Sequence, residues 1–203
     1  MNLKNSSLRR LLPLALLVFA IPVPAEAHAG ISGLGDFFGG VLHPFTTPQH
    51  VLVLLGLGLI VGQRSPLNLK MPLAVFIPVS AAALLLTTTG IVKSVYPPIL
   101  IGLALIAGVV VALEKSPPAF VSAVVFAMAA LAIGLDSAVE TGSAPAIAKT
   151  LLGTWLGLII AVADIAFYVS FFTKQKWQKV GIRVAGSWIT AASLMILAFV
   201  FRR

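Results

Sequence analysis

The sequence predicts an all-α integral membrane protein, in which a cleaved signal peptide precedes a bundle of six transmembrane helices. Of the 203 residues, 59% are hydrophobic and only 10% are charged, whereas soluble domains carry about 25% charged residues. The apolar residues form separate runs, each near the ~20 residues that a helix needs to cross a bilayer. The gaps between these runs are short. The chain therefore has no room for a large soluble domain beside the bundle.

The first segment, residues 1–27, has the three parts of a signal peptide. Three basic residues precede a short apolar core at 11–23, and Ala25-Glu26-Ala27 then supplies the small residues of a cleavage site. The apolar core is too short to span a membrane as a helix. We therefore expect cleavage after Ala27, which makes His28 the first residue of the mature chain, outside the cytoplasm.

The mature chain, residues 28–203, contains six predicted transmembrane helices. Backbone polar groups in hydrocarbon must be satisfied within their own segment, so each apolar run is expected to be helical. The division between the second and third runs depends on the break at Tyr96-Pro97-Pro98. The predicted spans lie at about 41–62, 71–92, 95–113, 119–136, 147–172 and 181–201.

The basic residues between the runs predict the orientation in a bacterial inner membrane. With the mature amino terminus outside, seven Lys and Arg residues fall in inner loops and four on the outer side. Cytoplasmic loops carry such an excess of Lys and Arg. The same placement explains the formal net charge of +8, so a nucleic-acid partner is not expected. The absence of cysteine excludes disulfides and thiolate metal sites.

Two pairs of glycines indicate close packing between helices. Gly58 and Gly62 are four residues apart in the first span, and Gly153 and Gly157 are four apart in the fifth. Each pair lies on one helix face, where neighbouring backbones can approach. Ordinary packing of a helical bundle is sufficient to explain both pairs.

His43 and His50 are the main candidates for a functional site, because an ionisable side chain costs free energy in hydrocarbon. They lie on one helix face, about 10 Å apart along an unbroken helix. Pro48 removes a backbone hydrogen bond between them and predicts an irregular helix start. The two imidazoles then either converge on one ion or form successive stations on a path. The alternative is an interfacial His43 and a His50 bonded to a neighbouring carbonyl.

Three carboxylates and one further histidine complete the candidate metal ligands. Asp136 ends the fourth span on the side of His43, and a mixture of imidazole and carboxylate suits nickel, cobalt or zinc; alternatively, it bonds its own loop. Asp164, in the middle of the fifth span, is a ligand or proton carrier, or a protonated acid bonded to a neighbouring helix. Asp36 either gathers cations at the entrance or belongs to a loop. His28 would chelate a divalent ion through its free amine and imidazole.

The stretch from Ala27 to Gln63 resembles the amino-terminal signature of the HupE/UreJ family, whose members are regarded as nickel permeases of hydrogenase and urease systems. The matching positions are His43-Pro44, His50, Gly56-Leu57-Gly58 and Gly62-Gln63. The resemblance implies a cleaved signal peptide, six membrane helices and a divalent metal ion as the transported substrate.

Three positions depart from the family pattern. Gln49 stands where the family has an acid before the second histidine. Ile133-Gly134-Leu135-Asp136 replaces a motif similar to His-Gly-x-Glu, so an acid remains but the histidine is lost. The histidine expected in the fifth span is missing near Thr154-Trp155-Leu156-Gly157.

Two functional hypotheses follow from this pattern. The first is a permease for Ni²⁺ or Co²⁺ in the lipid bilayer, with no tightly bound cofactor, acting alone, as a homo-oligomer or with metalloenzyme-maturation partners. The second is a non-transporting accessory protein of a hydrogenase or urease system, which keeps the fold and has lost the metal path. No serine–histidine, paired-aspartate or HExxH arrangement is evident, so we do not expect an enzyme.

Overall fold

A computed structural model describes residues 35–91, 95–115, 117–139 and 141–202. Within these ranges the chain is helical and contains no β-strand, in agreement with the predicted all-α class. The predicted signal peptide, residues 1–27, and His28 lie outside the described residues. The helices are α1 Gly35–Thr46, α2 Pro48–Gly62, α3 Lys70–Thr87, α4 Pro97–Ala112, α5 Ala119–Asp136, α6 Ala144–Ser170 and α7 Lys176–Phe201, with a 3₁₀ turn at Phe171–Thr173 between α6 and α7.

Four helices of the described part, α3, α5, α6 and α7, are long and apolar enough to cross a membrane. The pair α1 and α2 passes the same test as one broken span, which raises the number to five. Helix α4 is apolar but has only 16 residues, fewer than the ~20 of a typical span. Helix α5 coincides with the predicted fourth span. The predicted count of six spans is therefore not confirmed.

The predicted first span, 41–62, consists of two helices whose axes differ by 75°. Thr47 separates them in an extended conformation, with φ −98° and ψ 108°. Pro48 is the first residue of α2, a position where its missing N–H costs no helical hydrogen bond. The proline that predicted an irregular start therefore divides the span completely.

Helix α2 occupies the centre of the bundle. Ten of its 15 residues are buried, which is the pattern of a helix enclosed by protein on every side. It packs between α4 and α6, while α1 lies on α6, α4 on α7, and α3 on α5. Helices α2 and α6 run in the same direction, and α3 and α5 run in the opposite one.

Both predicted glycine pairs lie where another helix contacts α6: one pair belongs to α6 itself and the other to α2. A Cβ atom added to Gly153 or Gly157 would meet backbone of α1, at Phe37 and Val41 respectively. A Cβ atom added to Gly58 or Gly62 of α2 would meet α6, the first at Ile165. The glycines thus let α6 hold both halves of the broken span against its own backbone.

At the end of α2 away from the bend, two polar side chains hold the connection between α4 and α5. Gln63 donates its side-chain amide to the carbonyl of Lys115 at 3.1 Å. Arg64 donates Nη2 to the carbonyl of Pro117 at 3.1 Å and to Ser122 Oγ at 2.8 Å. Arg64 is one of the seven basic residues of the predicted inner loops. The structure shows that its side chain also fixes the start of α5.

Candidate functional site

Two histidines and an aspartate meet at the bend between α1 and α2. The Nε2 atom of His50 lies 3.0 Å from Oδ2 of Asp136. The rings of His43 and His50 are 5.5 Å apart between centroids, with an interplanar angle of 75°. The side chain of His50 is 0% exposed and that of Asp136 is 12% exposed. The bend therefore converts a two-turn separation in sequence into direct contact between the two imidazoles.

Asp136 is held by donors on both of its carboxylate oxygens. Oδ2 faces His50, and Oδ1 accepts a hydrogen bond from the backbone N–H of Val95 at 3.1 Å. Asp136 is the last residue of α5, while Val95 lies just before α4. The carboxylate thus ties the beginning of α2 to the end of α5 and the approach to α4. The expectation that Asp136 bonds only its own loop is wrong.

An ionised Asp136 carboxylate can only accept a hydrogen bond, so a neutral His50 paired with it donates its Nε2 proton and keeps a lone pair on Nδ1. That Nδ1 atom is buried and has no hydrogen-bond partner among the described residues. Metal-bound histidines commonly donate their second ring N–H to a carboxylate, which orients the ring. The geometry thus leaves Nδ1 of His50 as a buried, oriented nitrogen without a hydrogen-bond partner among the described residues.

The last turn of α1 is closed by threonine hydroxyls beside the histidines. Thr46 Oγ1 and Thr47 Oγ1 donate to the backbone carbonyl of His43, at 3.0 Å and 3.2 Å. Such bonds satisfy one of the carbonyls that a helix end leaves without an N–H partner. They also fix the backbone position from which the His43 ring contacts His50.

The other predicted ligands lie elsewhere in the fold. Asp36 is exposed in the first turn of α1, about 10 Å along the helix axis from His43. Asp164 is exposed on α6, next to Ile165, which packs against Gly58. Gly58 is about 12 Å along α2 from His50. Within the described ranges Asp164 has no hydrogen bond to a neighbouring helix of the same chain.

No group of three or more His, Asp or Glu side chains in the described part of the chain is arranged to hold a metal ion. The structure brings His43, His50 and Asp136 together, but Asp136 is occupied by His50 and Val95. Two imidazoles and one carboxylate therefore meet at the bend, and the carboxylate holds His50 in place.

Beyond His50 the route along α2 is filled with apolar side chains. Val53, Leu54 and Leu57 are all at most 2% exposed. Two bulky rings, Phe76 of α3 and Phe126 of α5, are fully buried in the same core. An ion at His50 would have to displace this packing to reach the opposite end of the bundle.

The geometry of the bend and the layout of the helices agree with a comparison of the whole sequence. Residues 15–196 match the family model described as HupE / UreJ protein. The chain belongs to the HupE / UreJ family. The resemblance found at His43-Pro44 and His50 is thereby confirmed over most of the sequence. No curated protein and no solved structure matches the chain significantly.

Membership in the family indicates that the apolar helices lie in a membrane. The HupE / UreJ family is linked to nickel or cobalt transport and to accessory roles in hydrogenase and urease systems. Together with several helices of membrane-spanning length, it identifies this HupE / UreJ chain as a membrane protein.

Proposed function

We propose that this HupE / UreJ protein is an inner-membrane permease for a divalent transition metal ion, nickel or cobalt. The observation that carries the proposal is the Nδ1 atom of His50, which is buried, unpartnered within the described residues, and oriented by Asp136. A buried nitrogen without a partner costs free energy, and a neutral imidazole nitrogen is a suitable ligand for nickel and related transition metal ions.

In this proposal the ion enters at His43 and passes to His50. His43 is half-buried, whereas His50 is completely enclosed, so the two rings form an outer and an inner station. The Asp136 carboxylate offsets the charge of the ion without binding it directly. Two imidazoles leave the remaining coordination positions to water, and such a site can release its ion more readily than a closed structural site.

The proposal places six crossings in the bilayer, with the mature amino terminus outside. The two ends of α2 support this topology, since it meets the end of α5 at Asp136 and the connection before α5 at Arg64. Helices α2 and α5 therefore run antiparallel. This is expected when α4 runs in the same direction as α2 and a single inner loop joins α4 to α5. Helix α4 is about 24 Å long, which is slightly shorter than the hydrocarbon thickness of about 30 Å.

Release on the inner side requires movement, because apolar packing closes the path beyond His50. The extended residue Thr47 is the natural hinge, since it joins two rigid helices through a single non-helical position. A change in the 75° bend would move His43 relative to His50 and would shift α2 within the core.

A second candidate function is a non-transporting accessory protein that works with hydrogenase or urease maturation partners. The observation in its favour is the incomplete ligand set, with no group of three acidic or histidine side chains arranged for a metal in the described part. Gln49 also removes the anionic side chain next to His50. Neither candidate involves a catalytic step or a tightly bound cofactor.

Radioactive nickel uptake into nickel-starved cells tests the proposal. His43→Ala and His50→Ala are compared with the unchanged protein, and Phe45→Ala serves as a matched control because Phe45 is exposed on the same helix. Membrane levels are matched by immunoblot, and excess cobalt or zinc is the competitor. Uptake that only the histidine variants abolish supports the permease. Uptake no greater than that of the empty vector favours the accessory protein.

A further inference from the structure

Asp164 is an exposed carboxyl group within an apolar part of α6. Its exposed neighbours on the helix are Ile160, Phe167 and Tyr168. A carboxyl group facing lipid is costly because hydrocarbon offers no hydrogen bonds. Within the described ranges no donor from another helix reaches it. The monomer therefore leaves an acceptor on this face that a further chain could cover.

The face of α6 that carries Asp164 is covered at one end and open at the other. Gly157, Asp164 and Phe171 follow one another at intervals of seven residues, about two turns, and so lie on one side of the helix. Helix α1 packs on this side at Gly157 and ends at Thr46. Below α1 the same side is exposed at Asp164 and Phe171.

A matching donor lies on α7. Trp188 is 74% exposed, and its indole N–H has no acceptor among the described residues. Trp177, Val184 and Met195 are exposed on the same side of the helix. Tryptophan is enriched where one end of the ring is in an apolar setting and the N–H has a polar partner. The N–H of Trp188 thus requires an acceptor that lipid chains do not provide.

Contacts between helices place Asp164 and Trp188 at the same depth. On α2, Gly58 lies against Ile165, the residue after Asp164, and Gly56 lies against Ala107. The residue after Ala107, Gly108, lies between Gly186 and Thr190 of α7. Trp188 is midway between these two, so its depth differs from that of Asp164 by less than about one helical turn, roughly 5 Å.

We propose that two copies of this chain associate through the open faces of α6 and α7, with Trp188 Nε1–H of each copy donating to the Asp164 carboxyl group of the other. A twofold axis along the membrane normal preserves depth and makes the two contacts equivalent. Hydrogen bonds of this kind stabilise helix association in membranes. The dimer does not depend on metal transport.

Cross-linking between cysteines in native membranes tests the dimer cleanly, because the chain contains no cysteine. Differently tagged Asp164→Cys and Trp188→Cys chains are expressed together and treated with a short bifunctional maleimide, because the Cα atoms of a Trp–Asp hydrogen-bonded pair are too far apart for a direct disulfide. The matched control replaces Asp164→Cys with Met128→Cys, which is exposed at a similar depth on α5. We expect a species that carries both tags and has twice the mass of the 21.2 kDa chain only with the first pair. Equal cross-linking with both pairs, or none, overturns the proposal.

The oligomeric state in lipid nanodiscs gives a second, independent measurement. Trp188→Phe removes the donor and keeps a ring, and Trp177→Phe is its control because the Trp177 indole already bonds Gln175 within one chain. Trp188→Phe should weaken association at least about threefold, as counted by single-molecule photobleaching, and Trp177→Phe should not. The proposal is contradicted if the unchanged protein is monomeric, or if a different protein binds the face of α6 and α7 that carries Asp164 and Trp188.

Discussion

His50 and Asp136 lie 86 residues apart in the chain, yet their side chains meet at 3.0 Å between Nε2 and Oδ2. One begins the central helix α2 and the other ends α5, so the contact joins two elements that run in opposite directions. A metal ion bound at Nδ1 of His50 would draw electron density from the ring and strengthen the Nε2–H hydrogen bond to the carboxylate. In the proposed permease, occupation of this site would therefore be coupled to the contact between α2 and α5.

Asp136→Asn should weaken nickel binding about 10- to 100-fold, the usual effect of losing a carboxylate behind a metal-bound histidine. The amide has one carbonyl oxygen, whereas Asp136 accepts from both His50 and Val95. One donor thus loses its partner, and the negative charge is lost as well. Equilibrium dialysis of the purified protein against radioactive nickel measures the affinity.

Glu114→Gln is the matched control for this change. Glu114 undergoes the same loss of charge at an exposed position near Lys179, with an oxygen-to-nitrogen distance of 3.8 Å, and it should bind nickel as the unchanged protein does. Equal affinities for Asp136→Asn and the unchanged protein would show that Asp136 has no part in the metal site.

Gln49→Asp should tighten nickel binding if the two imidazoles form a metal site. Gln49 is half-buried beside His50 in the first turn of α2, where a carboxylate is also favoured by the helix dipole. Isothermal titration with nickel compares this variant with Gln49→Asn, which has the same length without the charge. Indistinguishable titrations of the two variants would favour the accessory protein over the permease.

The apolar runs were sufficient to predict the helices, because a helix that crosses a membrane needs a nearly continuous run of apolar residues. The predicted and observed bounds of α5 coincide. The first span differed because Pro48 interrupts the helix and because the packing of α1 against α6, through Gly153 and Gly157, holds the bent arrangement. The spacing of residues within the first span cannot predict this contact, because the contact is made with a different helix.

The sequence singled out three residues that the structure brings together, His43, His50 and Asp136. It also named Asp36 and Asp164, which lie elsewhere. His43 and His50 are unusual residues for a span, and Asp136 was predicted on the same side. The hydrogen bond from Val95 to Asp136 was missed because the donor is a backbone N–H, and the residues just before α4 have no side chain that indicates it. The support of His50 by Asp136 depends on a contact between two helices, α2 and α5, that the sequence pattern does not contain.

Gly157→Ala should destabilise the protein by about 1–3 kcal/mol, the range for overpacking a close contact. Its Cβ atom would meet the backbone carbonyl of Val41 in α1, so α1 would have to move away from α6. Thermal unfolding in detergent, followed by the loss of the monodisperse species, measures the effect. Gly102→Ala is the control, since its Cβ atom would meet nothing within 4 Å; equal losses for both variants would exclude the close contact as the cause.

Pro48→Ala should straighten the bend between α1 and α2. Alanine restores an N–H that can donate to the carbonyl of Pro44, and this hydrogen bond would continue one helix through Thr47. The 75° bend would decrease, the two histidines would separate, and nickel affinity would fall. A shift toward one continuous helix should lengthen the distance between the ends of the pair by roughly 8 Å.

Spin labels at Phe38→Cys and Ser65→Cys measure this distance by pulsed electron paramagnetic resonance, without background from native cysteine. Both positions are exposed. The same labels in Pro97→Ala provide the control, because Pro97 begins α4 at a position where proline breaks no helical hydrogen bond. If Pro48→Ala keeps the distance distribution of the unchanged protein, the contacts of α1 with α6 alone maintain the bend, and Pro48 only marks where it occurs.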